Sequence, residues 1–248
     1  MEEILLIGLS RQAALKRELD VVANNIANLN TTGYKADGAT FSEFLHNSSD
    51  SAAGPTSMAR MSLVTDRATW HDMSQGTVQQ TGNPLDVALD GDGMLVVQTA
   101  AGERYTRAGS MQISANGELV NASGDRIMGD GGPIVLQPTD RDIVITKDGT
   151  IKVREGQSAN SDSTRGKLRI VKFANPQSLE KDSASSFRAP IGVQPEPAPN
   201  INVIQGALEK SNVRSVVEMT RMIEITRTYT EVSNMLQRSE EHTSELQS

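Results

Sequence analysis

The sequence predicts an α+β fold in which a helix at each end of the chain pairs into an α-helical coiled-coil layer, with a central antiparallel β-rich domain. Apolar residues recur every seven positions near both ends of the 248-residue chain, with further apolar residues between them, as in a coiled-coil seam. The middle of the chain carries short β-branched runs separated by turn dipeptides. Helical segments do not alternate with these runs, so a βαβ fold is not expected.

The N-terminal helix is predicted for residues 1–30. It should end before Gly33, because Asn30 and Gly33 tolerate the left-handed conformation that stops a helix. We expect Gly33 to act as the helix stop and Tyr34 to anchor the turn that follows. The face expected to form an assembly interface comprises Leu5, Leu15, Leu19, Val22, Ile26 and Leu29.

Residues 31–75 are predicted to be a connecting segment, with a mobile loop at residues 46–56 that is rich in Ser, Ala, Asn and Gly. The central β domain is predicted for residues 76–188. Its candidate strands are residues 85–89, 95–97, 111–113, 143–145, 151–153 and 168–173. Hairpin turns are expected at Asp92-Gly93, Asn116-Gly117 and Asp148-Gly149.

Residues 189–205 are predicted to be a Pro-rich, extended connector with a short strand at residues 201–204. The C-terminal helix is predicted within residues 206–237. It begins either with the capping box Ser215-Val-Val-Glu218 or with Asn212 as its cap. Its expected assembly face comprises Val217, Met222, Ile225, Tyr229, Val232 and Leu236.

The final segment, residues 238–248, is polar and has no sustained apolar period. The predicted helix is therefore taken only to Gln237, and if the tail is foreign, about one or two turns of the true helix are missing. The tail is then either foreign sequence, similar to translated sequencing-adapter read-through, or a frayed helix end.

Neither terminal helix is expected to be stable alone. The hydrophobic gain of an apolar seam is realised only when a partner covers it, whereas ordering the backbone costs conformational entropy at every residue. We therefore expect both helices to be largely disordered in the monomer and to fold on assembly.

Composition argues against several functional classes. The net charge is −7 and the pI is near 5.1, so a nucleic-acid-binding role is not expected. Aromatic residues are 3% of the chain, so stacking surfaces for sugars or bases are scarce. The chain contains no cysteine, and its N-terminus has neither the basic region nor the cleavage site of a signal peptide.

The sequence contains no pattern that predicts catalysis or ligand binding. Asp90-Gly-Asp-Gly93 is followed by Met94 and Ala101, where a calcium loop needs oxygen ligands. The three histidines have no second ligand at metal spacing. Four central carboxylates could pair for glycoside hydrolysis, but we expect them to be scattered. They are Asp86, Asp90, Glu103 and Glu118. We thus expect no enzyme, no cofactor, no metal site and no small-molecule substrate.

Three segments in order along the chain resemble the bacterial flagellar rod and hook protein family. Residues 20–35, with Asn-Asn-Ile-Ala-Asn and Gly-Tyr-Lys, resemble the family's N-terminal signature. Residues 82–93, 104–110 and 117–120 resemble its central domain, and residues 212–229 resemble its C-terminal helix. The chain length and residues 5–11 are most similar to the proximal rod members of the family. Met94, Leu95 and Met111 stand where the family often has aromatic residues, and we expect a repacked core with the same fold.

This resemblance implies a structural subunit of the flagellar basal-body rod. Such a subunit would polymerise through its terminal helices with copies of itself and with other axial rod proteins. It would leave the cell through the flagellar export apparatus without a cleaved signal peptide and would reside in the periplasmic part of the basal body.

The alternative prediction is a cell-wall or polysaccharide-binding β module whose terminal helices make it oligomerise. Such a module should keep its activity in residues 76–188 alone, whereas a rod subunit requires both of its ends.

Overall fold

The structure is a computed structural model and describes residues 2–47, 60–155 and 162–245. The chain forms two compact units. The helical unit comprises Met1–Ala27, Asp37–Asp72 and Arg214–Ser248, and the β unit comprises Asn28–Ala36 and Met73–Val213. The predicted α+β class is confirmed. No helix within the described ranges is long and apolar enough to cross a membrane.

The helical unit contains two helices and a β-hairpin. Its elements are α1 (Glu2–Ala27), β1 (Asp37–Asn47), β2 (Arg60–His71) and α2 (Ser215–Glu245). Strands β1 and β2 pair antiparallel with Asp37 opposite His71 and Asn47 opposite Arg60. Helix α1 contacts α2 and both strands of the hairpin, so both helices are formed and packed within the single chain, and the expectation that they are largely disordered in the monomer is not supported.

The hairpin occupies residues that the sequence predicted to be a connecting segment. Threonine, valine and aromatic residues in both strands favour the extended conformation. Gly38 leaves room for the indole of Trp70 opposite it, because a Cβ on Gly38 would lie 2.4 Å from Trp70 Cε2. Residues 48–56 of the predicted mobile loop lie outside the described residues, and residues 46–47 belong to β1.

The two helices differ from their predicted bounds. Helix α1 ends at Ala27, and a turn over Asn28–Asn30 follows it. Helix α2 begins at Ser215, as the first of the two predicted starts has it, whereas residues 207–209 of the predicted segment 206–237 form a strand. It continues past Gln237 to Glu245, so the helical backbone extends into the polar tail.

The β unit is built of short strands, and all its pairings among described residues are antiparallel. The strands are β3 (Val78–Gln80), β4 (Val87–Asp90), β5 (Met94–Thr99), β6 (Gly102–Thr106), β7 (Met111–Ile113), β8 (Leu119–Asn121), β9 (Arg126–Gly129), β10 (Gly132–Pro133), β11 (Asp140–Ile145), β12 (Thr150–Glu155), β13 (Asp162–Lys167), β14 (Ile170–Lys172), β15 (Glu180–Lys181), β16 (Ser186–Arg188), β17 (Glu196–Pro197), β18 (Asn202–Gln205) and β19 (Ala207–Glu209). A 3₁₀ turn, Pro176–Ser178, precedes β15.

The largest sheet has the order β15-β16-β6-β5-β9-β8-β7, with β10 on β9, β14 on β5 and β17 on β14. A second sheet has the order β11-β12-β13, and β18–β4 and β19–β3 form two further pairs. Strand β5 separates two apolar cores. Leu95 and Val97 lie in one core, and Met94 and Val96 lie in the other. Successive residues of a strand point to opposite faces, so β5 is buried on both sides.

Two of the three predicted hairpin turns are confirmed. Asn116-Gly117 joins β7 to β8, and Asp148-Gly149 joins β11 to β12, with positive φ at both glycines. The hairpin prediction at Asp92-Gly93 is wrong, because β4 pairs with β18 and not with β5. Gly93 instead admits the side chain of Ile201, since a Cβ there would lie 2.2 Å from Ile201 Cδ1.

Residues 189–205 carry structure that the Pro-rich composition did not suggest. Strand β17 lies on the outer side of β14, where the missing N–H of Pro197 is tolerated. The predicted strand at residues 201–204 is present as β18, and Val203 is buried in the first core. The β unit therefore extends beyond residues 76–188 in both directions.

Candidate assembly surface

Helices α1 and α2 lie antiparallel within the helical unit. Glu18 pairs with Arg221 in the second half of α1, and Gly8 faces Leu236 near its start. The contacting residue in α1 moves toward the N-terminus as the one in α2 moves toward the C-terminus, so the two helices run in opposite directions. Gly8 permits a close approach, because a Cβ there would lie 2.4 Å from Leu236 Cδ2.

The structure places the predicted interface residues at very different depths. Val22 and Ile225 are buried, with exposed fractions of 0% and 5%. Met222 and Val217 are exposed, and the side chain of Leu5 lies outside the described part of the structure. The partly buried residues are Leu15, Leu19, Ile26, Leu29, Tyr229, Val232 and Leu236.

Polar residues at the helix packing were missed by the sequence reasoning. The Arg221 guanidinium donates through Nε and Nη2 to Glu18 Oε1 at 2.9 and 2.7 Å. Asn25 is buried and donates from Nδ2 to Glu218 Oε2 at 3.3 Å. Glu218, the last residue of the predicted capping box, therefore contacts α1 through its side chain, and its N–H donates to the Arg214 carbonyl at 3.0 Å. The sequence signal that could have revealed these polar contacts was the interruption of the apolar face of α1 by Glu18 and Asn25.

A second apolar stripe on α2 is exposed to solvent. Val216, Met219 and Ile223 follow the spacing of three and four residues that puts them on one helix face, and they are half to three-quarters exposed. Thr226 and Thr230 continue this spacing. Their hydroxyls donate to the carbonyl oxygens of the residues four positions earlier, at 2.7 and 2.9 Å. The stripe thus offers few polar atoms that need a partner. Leu6 and Leu9 are also exposed on α1.

Gly33 and Tyr34 lie in the β unit rather than at the helix end. Gly33 has a φ of +66°, and its N–H donates to the Glu209 carbonyl at 2.9 Å. Tyr34 is 1% exposed, with Lys181 Nζ 3.8 Å from its ring centroid. Tyr34, predicted to anchor the turn after the helix, is therefore buried within the β unit, and its anchoring role stays a prediction.

Three of the four candidate catalytic carboxylates have separate partners. Asp86 accepts from Thr81, Glu103 pairs with Arg169, and Glu118 pairs with Arg126. In the described ranges there is no group of three or more His, Cys, Asp and Glu side chains that could hold a metal ion. His71 Nδ1 lies 2.7 Å from Asp37 Oδ1, and the side chains of the other two histidines fall outside the described part.

Three family models match successive parts of the chain. The model described as "Flagella basal body rod protein" matches residues 5–35. The model "Flagellar hook protein FlgE/F/G D1 domain" matches residues 88–153, and "Flagellar basal body rod FlgEFG protein C-terminal" matches residues 204–248. These ranges contain α1, the centre of the β unit and α2, respectively.

Similarity to individual proteins spans nearly the full length. The flagellar basal-body rod protein FlgF of Caulobacter vibrioides is 34% identical over 242 residues, which cover 97% of this chain and 95% of that protein. The chain belongs to the flagellar basal-body rod protein family. The rod protein FlgG of Bacillus subtilis is 32% identical over 256 residues, covering 96% of both chains. FlgF of Salmonella typhimurium is 36% identical over 211 residues, covering 82% of this chain and 80% of that protein.

This membership confirms the family predicted from the three signature segments. The basal-body rod family signature at residues 5–35 includes Asn25, which is buried in the helical unit, and Lys35, which is buried in the β unit. The motif therefore supplies packing residues to both units. The replacements Met94, Leu95 and Met111 are all buried in the β unit, as expected for a repacked core.

Proposed function

We propose that this chain is a structural subunit of the flagellar rod, in its proximal part, and that it polymerises through α1 and α2 as a coiled-coil layer. The family membership supports the rod, and the resemblance of residues 5–11 to proximal members supports the position. The assembly mechanism is supported by one observation, the exposed apolar stripe on α2. A helix of a monomeric protein normally hides its apolar side chains on a single face.

The two faces of α2 suit two different partners. Ile225 faces the interior of the helical unit and is 5% exposed, whereas Ile223 is 63% exposed. We infer that the inward face pairs with α1 of the same chain and that the outward stripe packs on helices of other copies or of other axial rod proteins. Val217 and Met222, which are exposed in the single chain, then become buried by assembly.

The expected partners are macromolecular. They are copies of this chain, other axial rod proteins and the flagellar export apparatus, with no nucleic acid and no small-molecule substrate. The proposed location is the periplasmic rod of the basal body, reached without a cleaved signal peptide, and no enzymatic activity is proposed. Intact mass measurement of the protein recovered from purified basal bodies tests the export route, since removal of N-terminal residues would contradict it.

The polysaccharide-binding alternative finds little support in the β unit. Binding of sugars commonly uses exposed aromatic rings. The aromatic residues of the β unit are instead between 0% and 7% exposed: Tyr34, Tyr105, Phe173 and Phe187. The edge of Tyr105 packs against Phe173 with 4.8 Å between the ring centroids, inside the second core.

The stripe on α2 can be tested in a strain that lacks the native gene. We expect Ile223→Asp to abolish swimming and rod formation without lowering the stability of the purified chain, because the side chain is exposed in the single molecule. Ile191→Asp is the matched control, since Ile191 is 107% exposed in the β unit and should tolerate the change. Complete, motile flagella carrying Ile223→Asp would refute assembly through this face.

The location is tested by mass spectrometry of purified hook–basal-body particles. Peptides of the β unit at near-stoichiometric levels would support the rod. Well-formed particles that lack the protein, with the chain abundant elsewhere in the cell, would refute it.

A further inference from the structure

A buried ion pair joins the first and last segments of the β unit. Lys35 Nζ lies 2.6 Å from Glu209 Oε1, although 174 residues separate them, and the two side chains are each 1% exposed. The same ammonium donates to the Ser74 carbonyl at 2.6 Å. The Gly76 N–H donates to Glu209 Oε1 at 3.0 Å. One carboxylate therefore organises three separate stretches of the β unit.

A second cation approaches the same carboxylate. Arg107 is 4% exposed, and its Nη1 lies 3.6 Å from Glu209 Oε2 while its Nη2 donates to the Gly91 carbonyl at 2.6 Å. Burial lowers the pKa of the Arg107 guanidinium, and the Glu209 carboxylate opposes that shift. Glu209 Oε2 has no hydrogen-bond partner in the described part of the chain. We call Lys35, Arg107 and Glu209 the closure cluster, in which one buried anion contacts two buried cations and offsets one of their two positive charges.

The strand pairings around the closure cluster also join the beginning of the β unit to its end. Strand β3 pairs with β19, placing Val78 opposite Glu209, and β4 pairs with β18. The Asn212 side chain accepts from the Ala36 N–H at 2.8 Å and donates to the Ser74 carbonyl at 3.1 Å. By contrast, β7–β8 and β11–β12–β13 pair within short stretches of the sequence.

These observations divide the β unit into two parts. In one part the sheets form between strands that are close in sequence, and in the other the strands need β18 and β19 as partners. Loss of Glu209 would remove the carboxylate that pairs with buried Lys35 and the larger of the two carboxylate influences on buried Arg107, the smaller being that of Asp92, and this is strongly unfavourable. A buried ion pair adds little net stability over an apolar pair, but removing one partner is costly. The ion pair therefore favours a β unit that is either fully closed or open over one that is partly closed.

We propose that the closure cluster is a conformational latch that makes completion of the β unit depend on docking of residues 202–213. Before docking, residues 28–36 and 73–90 stay open while the local sheets are formed. After docking, Glu209 contacts both cations and the unit closes cooperatively. This inference concerns the β unit alone and does not rest on the proposed rod function.

The test is amide hydrogen exchange of the full-length protein, read by mass spectrometry. Glu209→Gln keeps the shape of the side chain but removes its charge. We expect exchange in residues 28–36, 73–80 and 202–213 to accelerate on the order of 100-fold, because a buried ion pair is broken. Exchange in β7–β8 and β11–β13 should stay at the wild-type rate. Glu180→Gln is the matched control, since Glu180 pairs with Arg188 on the surface of the same unit.

A second variant separates charge from shape. Lys35→Met combined with Glu209→Gln removes the closer of the two cations that contact Glu209, so exchange in residues 28–36, 73–80 and 202–213 should return part of the way toward the wild-type rate. A uniform rise of the exchange rate throughout the β unit of the Glu209→Gln variant would overturn the proposal. An unchanged exchange rate in residues 28–36, 73–80 and 202–213 would also overturn it. If Glu209→Gln does not fold, the double variant decides: a folded double variant supports the latch, and an unfolded one overturns it.

Discussion

Asn25 holds both backbone groups of Asp37. Its side-chain Oδ1 accepts from the Asp37 N–H at 2.9 Å, and its Nδ2 donates to the Asp37 carbonyl at 2.9 Å. The amide thus fixes the first residue of β1 against α1 inside the helical unit, and only a side chain with both a donor and an acceptor can do so. This gives a physical reason for asparagine at this position of the signature segment.

We expect Asn25→Asp to lower the free energy of unfolding of the helical unit by about 1–3 kcal/mol, because the carboxylate cannot donate to the Asp37 carbonyl and also faces Glu218. Urea unfolding followed by the fluorescence of Trp70, the single tryptophan and a residue of β2, measures this loss. Asn234→Asp, at an exposed position of α2, is the control and should cost far less. Equal losses in both variants would contradict the role of Asn25.

The Glu18–Arg221 pair is expected to couple α1 to α2. A double-mutant cycle with Glu18→Gln and Arg221→Gln should give a coupling free energy of about 0.5–1 kcal/mol at low salt, since both side chains are partly exposed. The coupling should shrink toward zero in about 1 M salt, where the screening length is short. A coupling of zero at low salt would show that the two charges act independently.

The parts of the fold that sequence predicted are those determined by local pattern. The heptad spacing that includes Val22 and Ile225 predicted α1 and α2, and the Asn116-Gly117 dipeptide predicted the β7–β8 hairpin. These signals work because helix faces and tight turns depend on residues that are close in sequence.

The parts that sequence did not predict depend on distant residues. The pairing of β4 with β18 and the burial of Lys35 beside Glu209 join residues that are more than a hundred positions apart. A lysine is ordinarily read as a surface residue, because its burial is favourable only when an anion is supplied from elsewhere in the chain. Asn25 was missed for a similar reason, since an apolar pattern gives no weight to a buried amide.

Asp148 is expected to remain ionised in acid. The hydroxyls of Thr146 and Thr150 donate to its carboxylate at 2.5 and 2.6 Å and lower its pKa to about 2. A carboxyl group with a lowered pKa in the folded state stabilises the fold above its unfolded pKa, and this contribution is lost as the pH falls toward 2. The β11–β12 turn should therefore loosen between about pH 4 and pH 2.

Replacing both threonines with valine should raise the pKa of Asp148 toward its ordinary value, which an NMR titration of the carboxyl carbon measures. The midpoint should then move upward relative to the wild-type protein. Asp140, whose pKa is lowered chiefly by its hydrogen bond with Arg165, is the internal reference and should keep its midpoint. An Asp148 midpoint that does not move in the double variant would contradict the assigned cause.

Gly33 and Gly82 both have positive φ, at +66° and +75°, but their surroundings differ. A Cβ on Gly33 would lie 2.3 Å from the backbone nitrogen of Ala108, whereas a Cβ on Gly82 would meet nothing within 4 Å. Gly82→Ala should therefore cost about 1–2 kcal/mol, the conformational penalty alone. Gly33→Ala adds a clash with backbone that cannot move aside, for a total of about 2–5 kcal/mol. Urea unfolding followed by far-ultraviolet circular dichroism distinguishes the two variants. Equal losses would mean that the segment containing Gly33 can shift away from Ala108, and the close packing of Gly33 would then contribute nothing to stability.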